Sequence, residues 1–112
     1  MAVKEKFVKD VAVLTVSGKL MGGKDTWEVH DYVKRLISEG MKKIVFDLSH
    51  VKWLNSQGIG MLMTCMTSLK TVRGQMVIAG AATKVKSILM ITNLITIFKN
   101  AETVEEAMTK FN

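Results

Sequence analysis

The chain has 112 residues, 48% of them hydrophobic and 23% charged, so it can bury a single core of ordinary size without disulfide or metal support. Its one cysteine excludes an intramolecular disulfide and is typical of a reducing, cytoplasmic environment. The net charge of +6 would suit nucleic acid or an anionic membrane, but the lysines are scattered and only 6% of residues are aromatic, so we predict neither partner. A basic face that attracts an acidic protein partner stays open. The charged start "MAVKEKFVKD" is unlike a signal peptide, and no apolar run reaches the roughly 20 residues of a membrane span.

Two strand-like runs open the chain, at Glu5 to Lys9 and at Val11 to Ser17, on either side of Asp10. The second contains "VAVLTV", which is apolar at nearly every position and therefore predicts a strand covered on both faces. The stretch "GKLMGGK" follows it, and its three glycines predict an irregular loop.

A helix is predicted to begin at Asp25, an N-cap residue with Glu28 three positions later as in a capping box. Gly40 is the expected left-handed residue at its end. The apolar residues between them recur with helical spacing and predict one buried stripe: Val29, Tyr32, Val33, Leu36 and Ile37.

The run "KIVFDL", Lys43 to Leu48, predicts a buried strand, and Ser49 to Leu54 is predicted to be the connection that follows it. A second long helix is predicted from Ser56 to about Arg73, ending at Gly74. Its inward stripe is predicted to consist of Ile59, Leu62, Met63, Met66 and Leu69.

The last third of the chain continues the alternation of strands and helices. It predicts a strand at Gln75 to Ala79, a helix at about Thr83 to Thr92 and a short edge strand at Ile95 to Phe98. Thr103 and Glu106 form a second capping-box pattern that opens a final helix. The alternation predicts one α/β domain over residues 1–112, with a mixed central sheet of about four to five strands and about four helices.

Catalytic and metal-binding chemistry find little support in the residue types. Cys65 lies within a predicted helix with no activating neighbour, so a buried, inert thiol is the prediction. His30 is expected on a solvated helix face and His50 on the surface, and their positions relative to Cys65 match no metal-ligand spacing. Ser56 lacks the surroundings of a nucleophile elbow. We predict neither an enzyme nor a cofactor or metal site.

The stretch "VKWLNSQGIGMLM", residues 51–63, places a polar cluster and two glycines at the start of an apolar helix. Asn55 or Ser56 is predicted to cap that helix, and Gly58 and Gly60 to allow close packing. The free N–H groups of a helix start also favour an anion, although this glycine pattern lacks the full nucleotide-binding motifs. Met61 falls outside the inward stripe, so we expect an exposed methionine that could contact a partner.

The longer stretch "VFDLSHVKWLNSQGIGMLM" resembles the signature of STAS domains, the family that includes bacterial anti-sigma-factor antagonists. In that signature a strand ends in an Asp-Leu-Ser-like turn, and Asp-Ser-Ser/Thr-Gly-Leu/Ile-Gly follows a few residues later. The resemblance extends to "VAVLTVSGKLMGG" and "VIAGAATKVKSILMITNLITIF", which are similar to an early and a late part of the family fold.

The resemblance implies a module of bacterial partner-switching signalling that binds an anti-sigma factor or a related serine kinase and so frees a sigma factor. It places the partner-binding residues at the helix start and on a neighbouring loop, and it implies a monomer or weak homodimer. The residues that it implies for partner binding are Asn55, Ser56, Gln57, Gly58, Ile59, Gly60, Met61, Met21 and Gly22.

The sequence departs from the family pattern at the position that controls binding. In the family, the kinase phosphorylates a Ser or Thr directly before the motif glycine, where this chain has Gln57. Ser56 lies one residue early and is a weaker candidate phosphoacceptor, while Asn55 replaces the family's Asp. Two alternatives stay open: a STAS domain that binds a small ligand or nucleotide near Asn55 to Gly58, and a STAS scaffold subunit of a larger signalling assembly.

Overall fold

The computed structural model describes residues 2–93 and 96–111, which form one five-stranded sheet with helices on both faces. The strands are β1 (Ala2–Val8), β2 (Val11–Leu20), β3 (Lys43–Leu54), β4 (Gln75–Ala79) and β5 (Lys99–Ala101). The helices are α1 (Gly23–Ser38), α2 (Ser56–Thr71), α3 (Thr83–Ile91) and α4 (Val104–Ala107).

The sheet is mixed, and its strands lie side by side in chain order. β1 and β2 form an antiparallel hairpin, whereas β2, β3, β4 and β5 are parallel and are joined by helical crossovers. The larger core lies between the sheet and α1, α2 and α3, and a smaller one lies under α4 on the opposite face. The predicted α/β class and the predicted mixed sheet are therefore confirmed.

β2 has apolar side chains on both faces, as the sequence predicts, because the two cores share it. Ala12 and Leu14 belong to the larger core, and Val11 and Val13 to the smaller one. The strand continues to Leu20, beyond the predicted end at Ser17, because the pairing with β3 extends to Leu20 and Leu54. The predicted irregular loop is therefore reduced to Met21 and Gly22.

The start of α1 differs from the prediction. The helix begins at Gly23 after Gly22, whose φ of 96° and ψ of −174° suit a residue without a Cβ. Thr26 Oγ1 accepts a hydrogen bond from Gly22 N at 2.9 Å and donates one to Gly22 O at 3.0 Å. Asp25 lies in the first turn and caps nothing, so the predicted capping box with Glu28 is wrong.

The predicted connection after β3 is also wrong, because Ser49 to Leu54 continue the strand. β3 has two more residues than β2 in this stretch, since Thr15 and Ser17 pair with Asp47 and His50, and Gly18 and Lys19 pair with Val51 and Trp53. Each extra residue is a bulge that shifts the alternation of faces. The inward residues therefore change from a spacing of two to a spacing of three: Ile44, Phe46, Leu48, Val51 and Leu54.

α2 buries a different set of methionines from the predicted one. Ile59, Leu62 and Leu69 are buried as predicted, but Met61 is 0% exposed, so its predicted exposure is wrong. The helix packs against α1 as well as the sheet, and Met61 and Cys65 both belong to the larger core. Met63 and Met66 are only partly buried at the margin of the core.

The left-handed residue after α2 is Arg73, with φ of 59°, and not Gly74. Gly74 is required for a different reason: a Cβ there would approach Lys42 O to 2.6 Å.

The C-terminal elements are shifted relative to the predictions. The predicted strand at Ile95 to Phe98 lies partly outside the described residues, and its described part is not a strand. Phe98 is buried in the larger core, and the strand follows it as β5, pairing with β4. Before α4, Thr103 Oγ1 accepts from Glu106 N at 3.0 Å as predicted, whereas Glu106 Oε2 accepts from Glu102 N, 3.4 Å away.

Candidate functional site

The predicted docking residues meet where β2 and β3 end at the same edge of the sheet. Leu20 and Leu54 are register partners, so the turn at Met21 and Gly22 lies beside Asn55 and the first turn of α2. Asn55 N donates to Leu20 O at 3.2 Å. The structure therefore brings together the two segments that the resemblance implied would be neighbours.

Asn55 is the cap of α2 and also its link to the neighbouring turn. Its Oδ1 accepts from Gln57 N at 3.0 Å and from Gly58 N at 3.1 Å. Its Nδ2 donates to Met21 O at 2.9 Å. Ser56 is the first residue of the helix and does not cap it. Because Asn55 occupies the amides of Gln57 and Gly58, these two groups are not free to hold an anion.

Gly58 is confirmed as the residue of close approach. A Cβ at this position would overlap Leu20 O, so the first turn of α2 packs directly on the backbone at the end of β2. Gly60 does not have this role, because a Cβ there would meet nothing within 4 Å. The close-packing prediction for Gly60 is therefore wrong, although its carbonyl accepts from Thr64 Oγ1 at 2.8 Å.

Gln57 makes a further contact between α2 and the turn at Met21 and Gly22. Its side chain lies against Gly22, where a Cβ would overlap the carboxamide, while the residue as a whole stays exposed. The resulting surface presents Met21, which is 45% exposed, with Ser56 and Gln57. Gly58, Ile59 and Met61 are buried and support this surface from behind.

Two further large side chains escape prediction from the sequence. Trp53, 41% exposed, precedes Leu54 and pairs in register with Lys19. It lies in the bulged part of β3, where neither strand alternation nor helical spacing assigns a face. Trp27, 40% exposed, lies in the early part of α1, off the buried stripe, with its ring nearly perpendicular to that of His30. The feature of the sequence that could have indicated either residue is a tryptophan next to a polar residue and close to a helix start.

The electrostatic surroundings of the site are positive. The first turn of α2 contains no acidic residue, so the partial positive charge of the helix N-terminus is not offset by a side chain there. Lys19 and Lys52 lie on the adjoining ends of β2 and β3 and are both exposed.

The groups considered for catalysis are placed as inert or structural. Cys65 is fully buried, as predicted, and burial raises the pKa of its thiol to about 12, which disfavours the thiolate. His30 is half-buried and not solvated as predicted, because its Nε2 lies 3.2 Å from Ser68 Oγ on α2. Its pKa is lowered, first by burial and then by Lys34. His50 is exposed on β3, as predicted.

Within residues 2–93 and 96–111, no three His, Cys, Asp or Glu side chains come together as a metal site. No helix among the same residues is both long enough and apolar enough to span a bilayer.

Comparison with known proteins identifies the family of the chain. The model of the STAS domain family matches residues 2–107. The chain belongs to the STAS family. A Thermotoga neapolitana protein, named as a homologue of the candidate anti-sigma factor antagonist TM1081, is 28% identical over 92% of this chain and 91% of its own.

Solved STAS structures agree with this assignment. The crystal structure of the candidate anti-sigma factor antagonist TM1081 from Thermotoga maritima has a TM-score of 0.88 and 27% identity, covering 96% of this chain and 92% of its own. The Bacillus cell-fate determinant SpoIIAA in its phosphorylated form has a TM-score of 0.73 at 18% identity, covering 97% and 98%. This second likeness extends the shared fold to a more distant antagonist.

Proposed function

We propose that this STAS domain is an anti-sigma-factor antagonist-like binding module that docks an anti-sigma factor or a related kinase through the start of α2. The observation that carries the proposal is the set of contacts made by Asn55, which fixes the α2 start to the turn at Met21. A surface held by these hydrogen bonds results, with Met21, Ser56 and Gln57 exposed on it. Such a surface loses little conformational entropy when a partner binds.

The regulation of this module differs from that of a phosphorylated antagonist. Gln57 occupies the position before Gly58, and its carboxamide cannot form a phosphate ester. The Ser56 hydroxyl is exposed, but it is one residue displaced along the helix, which rotates it by about 100° around the axis. We therefore propose a module that phosphorylation at this turn does not switch off.

The proposed role is binding and not catalysis, and the module acts as a cytoplasmic monomer or weak homodimer. The thiol of Cys65 is buried and His30 is tied to Ser68, so neither supplies a nucleophile or a base to the α2 start. The amides that would favour a nucleotide phosphate at this helix start are occupied by Asn55, which favours a protein partner over a small anion.

Capture of partners from the source organism's lysate tests the docking surface. The immobilised wild-type chain is expected to retain an anti-sigma factor or a small serine kinase. Gln57→Glu adds a negative charge to the surface, and because carboxylates suit a helix N-terminus it leaves the fold intact. We expect this variant to lose at least tenfold in affinity, about 1.4 kcal/mol. Ser87→Glu, on exposed α3, is the charge-matched control and should bind normally.

Two outcomes would contradict the proposal. Equal capture by Gln57→Glu and Ser87→Glu would remove the docking role from the α2 start, and recovery of other STAS subunits alone would identify a scaffold.

Mass spectrometry after incubation with ATP and the captured kinase tests whether phosphorylation regulates the module. Stoichiometric phosphate on Ser56, absent from Ser56→Ala, would show a phosphorylation switch after all.

A further inference from the structure

A second surface lies along the part of β3 that precedes the α2 start. The pairing of β3 with β4 ends at Asp47 and Ala79, but β3 continues for seven more residues to Leu54. Along this extension the β3 edge faces the beginning of α3 across an open space. We name this space, of about 700 Å³, the β3–α3 cleft; it is lined by Ser17, Gly18, Ser49, His50, Val51, Lys52, Ala82, Thr83 and Lys84.

The two bulges of β3 determine which side chains surround the cleft. They keep Leu48, Val51 and Leu54 inward, so that Ser49, His50 and Lys52 are exposed. The same extension has no strand partner on its β4 side within the described residues, so its edge can accept a short extended peptide.

Positive charge in the cleft is uncompensated. Lys52 and Lys84 are exposed, and no carboxylate of the described residues lies within 4.0 Å of either ammonium group. Lys86, two residues further on, is instead paired with Glu102 at 3.1 Å. Among the described residues, none that lines the cleft is acidic.

The carboxylate of Asp47, near the base of the β3 extension, has partners of its own. Its Oδ1 accepts from Ser49 N at 3.0 Å, and its Oδ2 lies 3.5 Å from Thr15 Oγ1. The two cleft lysines are therefore left without an acidic partner in the described chain.

We propose that the β3–α3 cleft binds a short acidic segment of a partner protein. The segment lies extended along the β3 edge, and its carboxylates pair with Lys52 and Lys84. A protein fits better than nucleic acid, because both arginines lie elsewhere, on α1 and after α2, and Trp53 and His50 are the two ring side chains on this part of β3. The cleft and the α2 start are different surfaces, although Lys52 lies near both, and the proposal stands whether or not the α2 start docks an anti-sigma factor.

Amide NMR of the full chain locates the binding. The probe is a blocked octapeptide with four glutamates, and its control is the same peptide with four glutamines. We expect the glutamate peptide alone to shift the amides of residues 49–52 and 82–84, and its affinity to fall as the ionic strength rises towards the physiological value. No shift of these amides at millimolar peptide would overturn the proposal.

Two charge-reversed variants separate this cleft from the general basicity of the chain. Lys52→Glu with Lys84→Glu alters the cleft, and Lys34→Glu with Lys42→Glu alters exposed lysines elsewhere. Each Lys→Glu removes one positive charge and adds one negative charge, so both double variants change the net charge from +6 to +2. We expect a loss of at least tenfold in peptide affinity for the first and less than twofold for the second.

Equal losses in the two double variants would overturn the proposal, because attraction would then depend on net charge alone. Stronger shifts of the cleft amides by ATP or by oligothymidylate than by the glutamate peptide would overturn it in favour of a phosphate ligand. The amide spectra also report whether each variant is folded. If the first double variant is not, the single variant Lys84→Gln, on the exposed surface of α3, should still weaken binding by a measurable factor.

Discussion

The starts of α1 and α2 lie side by side but are built in opposite ways. α2 is capped by the side chain of Asn55, which accepts from two helix amides. α1 follows Gly22 and has no side-chain cap; its first turn is tied by the Thr26 hydroxyl to both backbone groups of Gly22. The start of α2 is therefore held by the side chain of the residue before the helix, Asn55, and the start of α1 by a side chain within the helix, Thr26.

The difference matters because Asn55 serves both starts. Its carboxamide oxygen caps α2, while its nitrogen bonds the carbonyl of Met21, just before Gly22. An amide is suited to this double task because it offers an acceptor and a donor from one side chain. The geometry of the whole docking surface is therefore predicted to depend more on α2's start than on α1's.

The largest expected effect comes from filling the contact between α2 and β2. Gly58→Ala would force a Cβ against Leu20 O, a backbone atom that cannot rotate away. We expect a loss of about 2–3 kcal/mol in the free energy of unfolding. Urea denaturation followed by circular dichroism measures it.

Gly60→Ala is the matched control, because it is the same change two residues later with open space around the new Cβ. The higher helix propensity of alanine should stabilise the protein by about 0.5–1 kcal/mol. Destabilisation of similar size by both variants would show that the approach to Leu20 is not what requires Gly58.

The next effect separates the two functions of Asn55. Asn55→Ala loses the cap and the bond to Met21, and should cost about 1–2 kcal/mol. Asn55→Asp keeps the acceptor and places a negative charge at the helix start, but it loses the donor to Met21 O. We expect Asn55→Asp to be the more stable variant in urea denaturation. Its Gly22 and Gly23 amides should nevertheless exchange with deuterium faster than those of wild type.

Slower or unchanged exchange at these glycines in Asn55→Asp would contradict the view that the cap of α2 orders the start of α1. The amides of Glu106 and Ala107 in α4, which Thr103 caps separately, provide the internal reference.

A smaller effect is expected at the other start. Thr26→Val preserves the shape of a fully buried side chain but removes both hydrogen bonds to Gly22. Gly22 is only partly buried, so water can replace part of the loss, and we expect a cost of about 1 kcal/mol. The amide spectrum should change around Gly22 but not at Gln57 or Gly58. Changes of equal size at both helix starts would make the two starts a single cooperative unit.

Much of the fold follows from local patterns that the sequence displays. The apolar stripe of α1 contains three buried residues, Val29, Val33 and Leu36, and the nearly all-apolar run of β2 is buried on both faces. These predictions succeed because each depends on one period, 3.6 residues for a helix or 2 for a strand.

The failures occur where a tertiary contact overrides a local pattern. The second half of β3 is predicted to be a connection because two bulges change the spacing of its inward residues to three. A spacing of three matches neither the strand period of 2 nor the helix period of 3.6. Met61 reads as exposed because a single stripe on α2 does not include the additional contact with α1. The sequence gives Gly58 and Gly60 the same residue type on the same helix, and so the same expected role. The structure distinguishes them, because Leu20 O lies against Gly58 and nothing lies within 4 Å of a Cβ at Gly60.

The smallest expected effect tests how α1 and α2 are joined beyond their starts. His30 on α1 lies 3.2 Å from Ser68 Oγ on α2, and burial, with Lys34 nearby and against the opposing charge of Asp31, lowers its pKa in the folded state. A histidine with a lowered pKa binds fewer protons when folded than when unfolded. Its contribution to stability is therefore present above about pH 6.5 and is lost as the pH falls through the lower folded value.

The variant His30→Gln should lack this part of the pH dependence. The difference between the urea midpoints of variant and wild type should therefore change between neutral pH and mildly acid pH. Since His50 is present in both proteins, the difference isolates His30. A constant difference across this range, or an NMR titration of His30 at or above the ordinary value, would show that the histidine does not join the two helices in its neutral form.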